Sequence, residues 1–270
     1  MAWHGSGKAW LGLLGLWLAT GHAGAAAQAV AALSAVSASS SASASMVAGA
    51  QNQNVKSEAP LDSLATRVAA CSACHGLQGR AASDGYYPRI AGKPAGYLFN
   101  QLQNFRDGRR QYPLMTYMVQ HLPDRYLQEI ADHFASQHPP YPPPQAAQVS
   151  AEVLARGQQL AQHGDPAKQV PACIACHGQR LTGLAPAVPG LLGVPRDYLS
   201  SQFGAWQNGV RRAKAPDCMA EITKRLSGSD IAAVSAWLAA QPVPADPLPM
   251  VAGSQSGKLP LDCGSTGGQP

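Results

Sequence analysis

Two short strings that contain cysteine and histidine decide how this chain folds: residues 71–75 read Cys-Ser-Ala-Cys-His, and residues 173–177 read Cys-Ile-Ala-Cys-His. The second string begins 102 residues after the first. The pattern C-x-x-C-H is the attachment signature of c-type haem, in which both thiols bond to the porphyrin and the histidine lies beside the iron. The sequence therefore predicts two covalently attached haem c groups, and their attachment residues are Cys71, Cys74, Cys173 and Cys176.

Other uses of paired cysteines fit these strings less well. Two C-x-x-C pairs that share one zinc ion usually lie about 15 to 20 residues apart, whereas these pairs are 102 residues apart and each has its own histidine. A thioredoxin-like redox pair needs a βαβ pattern around it, and no strand-like run lies nearby in the sequence. Ordinary disulfides remain an alternative, but they would leave both adjacent histidines unexplained.

Length and charge narrow the class of protein. The chain has 270 residues, which suits two domains of modest size. Small domains have thin cores, and a bound haem would supply an apolar centre and covalent links. Only 13% of the residues are charged, and the net charge of +5 is spread over both halves. We therefore expect no binding to nucleic acid.

The N-terminal segment indicates export. In residues 1–27, an apolar run follows Lys8 and small residues come after it, as in a secretory signal peptide. No charged residue lies between Lys8 and Lys56, so an uncleaved membrane anchor is the alternative. Residues 28–59 are rich in Ala and Ser and predict a flexible leader. Because bacteria attach haem outside the cytoplasmic membrane, we expect a periplasmic protein, either soluble or loosely associated with the membrane.

The repeat extends well beyond the haem strings. Residues 88–108 match residues 189–209 at a constant offset of 101, including both segments of the form Pro-x-x-x-Gly-x-Pro-x-x-Tyr-Leu. After Leu122 and Leu226, apolar residues follow at intervals of three and four, which predicts one face of an amphipathic helix in each copy. Each unit is expected to contain a helix, the haem string, a loop, a helix, a methionine loop and a final helix.

Proline-rich segments bound the two copies. They separate the units and indicate an extended, fairly stiff connection. No alternating strand pattern competes with the helical one, so the fold class is expected to be all-α. The predicted organisation is cytochrome c domain 1 at residues 60–138, a Pro-rich linker at 139–148, cytochrome c domain 2 at 149–241 and a Pro/Gly-rich tail at 242–270.

The candidate iron ligands follow from the strings and the repeat. His75 and His177 are expected to bind the two irons, and methionine thioether is the expected sixth ligand of an electron-transfer cytochrome. Met219 is the only methionine between the second string and the proline-rich tail. Met115 matches it, because each lies seven residues before a repeated leucine. Met118 is the alternative to Met115, and core packing is the ordinary role of a methionine.

Other residues are candidates for supporting the haems. The carbonyl groups of Pro88 and Pro189 are candidates to accept the second ring N–H of each histidine. Four arginines at the end of the middle helix are candidate partners of the haem propionates, with a solvated basic helix end as the alternative: Arg109, Arg110, Arg211 and Arg212.

Cys218 and Cys263 remain after the haem strings are assigned. In an oxidising compartment, the simplest expectation is a disulfide between them, which would tie the tail to the segment of Met219. The alternative is that Cys218 binds iron as a thiolate.

With two C-x-x-C-H strings, the repeated Pro-to-Leu segment and a methionine seven residues before the final-helix leucine, the chain resembles the dihaem cytochrome c4 family over about residues 60–241. The resemblance implies two cytochrome c-like domains with pseudo-twofold packing and His/Met haems close enough to exchange electrons. It also implies a carrier between respiratory-chain donors and a terminal oxidase or reductase. The long leader, the Cys218/Cys263 pair and the tail depart from the family's pattern.

The expected partners are redox proteins, either membrane respiratory complexes or small periplasmic carriers, and the chain is expected to be an electron-transfer protein rather than an enzyme. Two alternatives stay open. The first is a dihaem redox enzyme, similar to a thiosulfate dehydrogenase or a peroxidase, and Cys218 is the only residue that supports it. The second is a dedicated cytochrome subunit of a periplasmic dehydrogenase.

Overall fold

The structure, a computed structural model, describes residues 63–82, 85–251, 253–254 and 259–267. The expected signal peptide and flexible leader lie outside the described residues. Nine α-helices occur in the described part of the chain. In the first repeat these are α1 (Leu64–His75), α2 (Ala95–Arg106), α3 (Pro113–Val119) and α4 (Asp124–Ala135). In the second repeat these are α5 (Ala151–Gln162), α6 (Ile174–His177), α7 (Arg196–Gln207), α8 (Cys218–Arg225) and α9 (Gly228–Ala240).

The all-α prediction is confirmed, with one small addition. Two strands of two residues each, β1 (Gly183–Leu184) and β2 (Val188–Pro189), form an antiparallel pair just after the second haem string. A pair this short leaves no alternating pattern in the sequence from which it could be predicted. None of the described helices combines the length and the apolar character that a membrane span requires.

The core of the first repeat forms where α4 packs against α2. The apolar residues of α4 recur at intervals of three and four, and the predicted face of Leu127, Ile130 and Phe134 is buried. Leu127 and Phe134 are 0% and 1% exposed. Burial of such a side chain stabilises the fold by about 1.5–3 kcal/mol, so this face is sufficient reason for α4 to dock.

In the second repeat, α9 is enclosed on more than one side. It packs against α5 as well as α7, and most of its residues are buried, including the predicted Ile231, Val234 and Leu238. The close approach of α5 depends on Gly157, because a Cβ atom there would lie 2.3 Å from the carbonyl oxygen of Ala233. A helix that is apolar nearly all round is one that is buried nearly all round.

The methionine segments differ from the prediction, since both are helical rather than loops. Met115 lies in α3 and Met219 lies in α8. Pro113 opens α3, where its fixed φ suits the first helical position. Asp217 caps α8, because its side chain accepts a hydrogen bond from the backbone N–H of Ala220.

The linker and the tail are both fastened to the repeats. Arg89 donates to the carbonyl groups of Pro139 and Pro140, and its guanidinium lies 3.8 Å from the ring centre of Tyr141. In the tail, the N–H of Met250 donates to the carbonyl of Gly183 at 2.9 Å. The linker is therefore held against the first repeat, and this part of the tail continues the edge of β1.

Candidate haem sites

A large apolar cavity lies among the described residues of both repeats. Its volume is about 1810 Å³, whereas ordinary small-molecule pockets measure about 300–1,000 Å³. Because protein interiors are close-packed, an apolar space of this size indicates a large apolar occupant. All eight predicted site residues line it: Cys71, Cys74, His75, Met115, Cys173, Cys176, His177 and Met219.

Each haem string lies at the end of a helix that a glycine terminates. His75 is the last residue of α1 and His177 the last of α6. The following glycines, Gly76 and Gly178, have φ values of 76° and 85°. Only glycine adopts such values readily, so the chain turns sharply after each histidine, and both histidines remain at the cavity wall.

A backbone carbonyl holds each histidine ring. Nδ1 of His75 donates to the carbonyl of Pro88 at 2.8 Å, and Nδ1 of His177 donates to that of Pro189 at 2.7 Å. The predicted carbonyl partners are confirmed. Since Nδ1 carries the proton, Nε2 of each ring keeps a lone pair for a metal. Burial lowers the pKa of both histidines, which favours the neutral form that binds metals.

The four thiols of the strings are half-buried and form no disulfide. Burial raises the pKa of Cys173 to about 12, and it also raises the pKa of Cys71 and Cys176. A reactive catalytic thiolate needs the opposite shift. Across the described ranges, no group of three or more His, Cys, Asp or Glu side chains could hold a metal ion, which disfavours the zinc alternative.

The methionines differ in their surroundings. Met115 packs beside the buried cluster of Phe105, Val119 and Leu127. Met118 also lines the cavity but is 37% exposed. Met219 packs against the core of the second repeat. Met115 is thus the better enclosed of the two candidates in the first repeat.

Cys218 is not available as a thiolate. It forms a disulfide with Cys263, with an S–S distance of 2.02 Å. The expected pairing is confirmed, and the alternative in which Cys218 binds iron is wrong, because its sulfur is already bonded. The disulfide links the tail to the residue that precedes Met219.

The four candidate arginines, which lie just beyond the ends of α2 and α7, separate into two kinds. Arg110 and Arg211 line the cavity, whereas Arg109 and Arg212 do not. Arg109 donates to Asp107 at 2.8 Å, which is the surface role that was the alternative interpretation. Arg211 is buried, with 6% exposed. Burial, followed by repulsion from Arg110, lowers the pKa of Arg211.

The partners of Arg110 and Arg211 were not predicted. Arg110 donates to Gln101 of its own repeat and to Tyr198 and Gln202 of the other. Arg211 donates in the same way to Gln202, Tyr97 and Gln101. The signal was present in the repeat, since Tyr97/Tyr198 and Gln101/Gln202 are matched pairs at the offset of 101.

The polar groups of the cavity fit a haem. Among the described residues, no carboxylate forms an ion pair with Arg110 or Arg211. The buried Nε1 of Trp206 also has no hydrogen-bond partner among them, and Trp206 lines the cavity. Two cations without a carboxylate partner and an unpaired N–H donor suit the propionate carboxylates of a porphyrin, because buried charges and donors require partners.

Comparison with known proteins agrees with this geometry. No protein-family model matches the chain. It is 36% identical over 176 residues to the thiosulfate dehydrogenase electron acceptor of Thiomonas intermedia, covering 65% of this chain and 80% of that one. It is 32% identical over 174 residues to cytochrome c4 of Pseudomonas aeruginosa, covering 64% and 84%. This chain belongs to the cytochrome c4 family.

Solved structures give the same family. The reduced recombinant cytochrome c4 of Pseudomonas stutzeri superposes with a TM-score of 0.56 at 28% identity, covering 64% of this chain and 94% of that one. Thiosulfate dehydrogenase from Marichromatium purpuratum gives 0.57 at 29% identity, and this chain spans 36% of its length. As a cytochrome c4, the chain is a dihaem c-type electron-transfer protein, and the prediction of two haem c groups is confirmed.

Proposed function

We propose that this cytochrome c4 is a periplasmic electron carrier without a substrate of its own. In the proposal, His75 and Met115 bind the first iron, and His177 and Met219 bind the second. The observation that carries it is the shared cavity, which brings these four side chains and the four thiols to one apolar space while both histidines keep Nε2 unprotonated.

The residues of the chain have distinct tasks in this proposal. A bound haem supplies one-electron transfer between Fe(III) and Fe(II). The carbonyl groups of Pro88 and Pro189 orient the histidine rings and increase their basicity. The thioethers of Met115 and Met219 favour Fe(II) and therefore raise the reduction potential. Because a histidine and a methionine would hold each iron, no ligand position would be left for a substrate.

The electron donor is proposed from the relatives. Two of them, from Thiomonas intermedia and Stutzerimonas stutzeri, are named thiosulfate dehydrogenase electron acceptors. We therefore propose that a periplasmic thiosulfate dehydrogenase delivers electrons to this chain, which passes them to the respiratory chain. Rapid mixing of the oxidised protein with thiosulfate and a purified thiosulfate dehydrogenase tests this donor. Mixing with a reduced quinol-oxidising complex tests the alternative that the donor is a respiratory-chain complex. The partner that reduces the haems faster is the donor.

A spectroelectrochemical titration tests the ligand assignment. The purified holoprotein should show two low-spin haems and the far-red charge-transfer band between methionine and Fe(III). Met115→Ala and Met219→Ala should each remove part of that band, whereas Met118→Ala, the matched control in α3, should leave it. A high-spin haem in the unmodified protein, or loss of the band in Met118→Ala alone, contradicts the assignment.

A second candidate is a dedicated subunit of a dehydrogenase. The similarity to part of the Marichromatium purpuratum enzyme favours it, since this chain matches one portion of a longer chain. Gentle purification from the native periplasm separates the two functions. A free carrier elutes at its own mass, while a subunit elutes with a stoichiometric partner.

A further inference from the structure

Lys93 places a buried cation of the first repeat beside the second haem site. Its side chain is only 7% exposed, and Nζ donates to the carbonyl of Gly190 at 2.8 Å. Gly190 directly follows Pro189, whose carbonyl accepts the hydrogen bond of His177 at 2.7 Å. The ammonium is therefore one peptide away from the group that orients the candidate iron ligand of the other repeat.

The charge of Lys93 is not neutralised by an acidic partner. Among the described residues, no carboxylate forms an ion pair with it, and the charge that acts on it is the cation of Arg89. Burial, followed by repulsion from Arg89, lowers the pKa of Lys93 to about 8, so it still carries its proton at neutral pH. Its charge reaches His177, where it adds to burial in lowering the pKa of that ring.

The contact is not reproduced in the other direction. At the offset of 101, Val194 occupies the position that corresponds to Lys93. Valine has neither a charge nor a donor, so the second repeat cannot make the same contact with the first. The cation that acts on His75 is instead Arg110, which hydrogen-bonds to neutral groups of both repeats and lines the cavity where propionates are proposed to lie.

We propose that Lys93 raises the reduction potential of the second haem. The inference rests on the proposed function, in which His177 binds that iron. Reduction of Fe(III) to Fe(II) removes one positive charge from the site. A buried cation nearby favours the less positive state, and its influence is strong because the local dielectric is low. Lys93 thereby gives the two repeats unequal potentials although their candidate ligands are the same.

Potentiometric titration of the full-length holoprotein at about pH 6 tests the proposal, since Lys93 is fully protonated there. The wave of the second haem is identified as the one that Met219→His moves, because exchange of the thioether lowers the potential. In Lys93→Met, we expect the ratio of reduced to oxidised second haem at a fixed applied potential to fall about tenfold. For a one-electron couple this corresponds to 59 mV. The first haem should change by less than about twofold.

Two further variants separate charge from structure. Lys93→Gln removes the charge but keeps a donor for the carbonyl of Gly190. It should lower the potential of the second haem as Lys93→Met does, and it replaces that variant if Lys93→Met folds poorly. Lys93→Arg keeps the charge and should restore the original ratio. Arg125→Met is the matched control, because it removes the same charge from a side chain of the first repeat that is 91% exposed. It should move neither wave.

The outcomes show whether the proposal for Lys93 fails or the proposed function fails. If Lys93→Gln leaves the second wave in place, or if both waves move equally, Lys93 does not tune the second haem. If Lys93→Arg shifts the wave as far as Lys93→Gln does, packing rather than charge is responsible, and the proposal is overturned. If the unmodified protein lacks two low-spin haems, or if Met219→His moves no wave, the proposed function itself fails.

Discussion

Arg110 and Arg211 are equivalent residues of the two repeats, and they face each other as antiparallel backbone partners. The N–H of Gln111 donates to the carbonyl of Val210 at 2.8 Å, and that of Arg212 donates to the carbonyl of Arg109 at 2.7 Å. Equivalent residues meet in this way at a twofold axis. The pseudo-twofold packing that the family resemblance implies is thus visible in one pair of residues.

The arginine pair is expected to stabilise the contact between the repeats. Arg211→Leu removes hydrogen bonds from a charged donor, each worth about 1.5–3 kcal/mol, and leaves the hydroxyl of Tyr97 without this partner. We expect the free energy of unfolding of the oxidised holoprotein in guanidinium chloride to fall by about 2–3 kcal/mol. Arg212→Leu is the control, since Arg212 is exposed, and it should change stability by less than about 0.5 kcal/mol.

Substitution of Gly157, at the contact of α5 with α9, and of Gly204, in α7, should have opposite effects on stability. The Cβ atom of Gly157→Ala would lie 2.3 Å from the carbonyl oxygen of Ala233 and 2.7 Å from Cβ of Trp237. Overpacking of this kind costs about 1–3 kcal/mol. Gly204, in α7, has no atom within 4 Å of such a Cβ. Gly204→Ala should therefore stabilise the protein by about 0.5–1 kcal/mol. Thermal unfolding with equal loss in both variants would contradict the close contact.

Asp230 is expected to make stability depend on pH. Burial works against its charged form, but hydrogen bonds from Lys168, Ser227 and Arg156 outweigh this and lower its pKa well below the ordinary value. A lowered pKa in the folded state means that the stabilisation is present above the unfolded pKa of about 4 and is lost as the pH falls below it. Asp230→Asn should cost roughly 3 kcal/mol at pH 7.

The difference between Asp230→Asn and the unmodified protein should then shrink between about pH 5 and pH 2. Melting temperatures across this range measure it. Asp132→Asn is the control, because it makes the same chemical change at an exposed residue. A difference that stays constant down to the lowest pH would show that the side chain acts by packing rather than by charge.

The disulfide should support both stability and the candidate ligand beside it. Cys218 and Cys263 close a loop with a sequence separation of 45, and the double substitution to Ser should lower the free energy of unfolding by about 3 kcal/mol. Because Cys218 opens α8 and precedes Met219, we expect the methionine charge-transfer band of the second haem to weaken, while that of the first haem persists. Equal weakening at both haems would argue against a local effect.

The candidate haem-attachment residues follow from the sequence, because covalent attachment depends on a five-residue pattern. The internal repeat then predicted the candidate ligands Met115 and Met219, since each lies at the same distance from a repeated leucine. The buried face of α4 was equally predictable, because helical periodicity is a local property of the chain. The helical state of α3 and α8 could not be predicted, because both helices are short. Their stability depends on the first turn, where Pro113 opens α3 and Asp217 caps α8.

Other features depended on residues that are far apart in the chain. The sequence does show that Arg110 and Arg211 are equivalent, but only the packed repeats place them together at the cavity. In the same way, the residues that flank Lys93 in the sequence do not show that its side chain is buried. Only the docking of the first repeat onto Gly190 buries its charge. Short patterns determine covalent attachment and helical faces, because those depend on neighbouring residues. The surroundings of a buried charge depend on which surfaces meet, and therefore only the tertiary structure decides them.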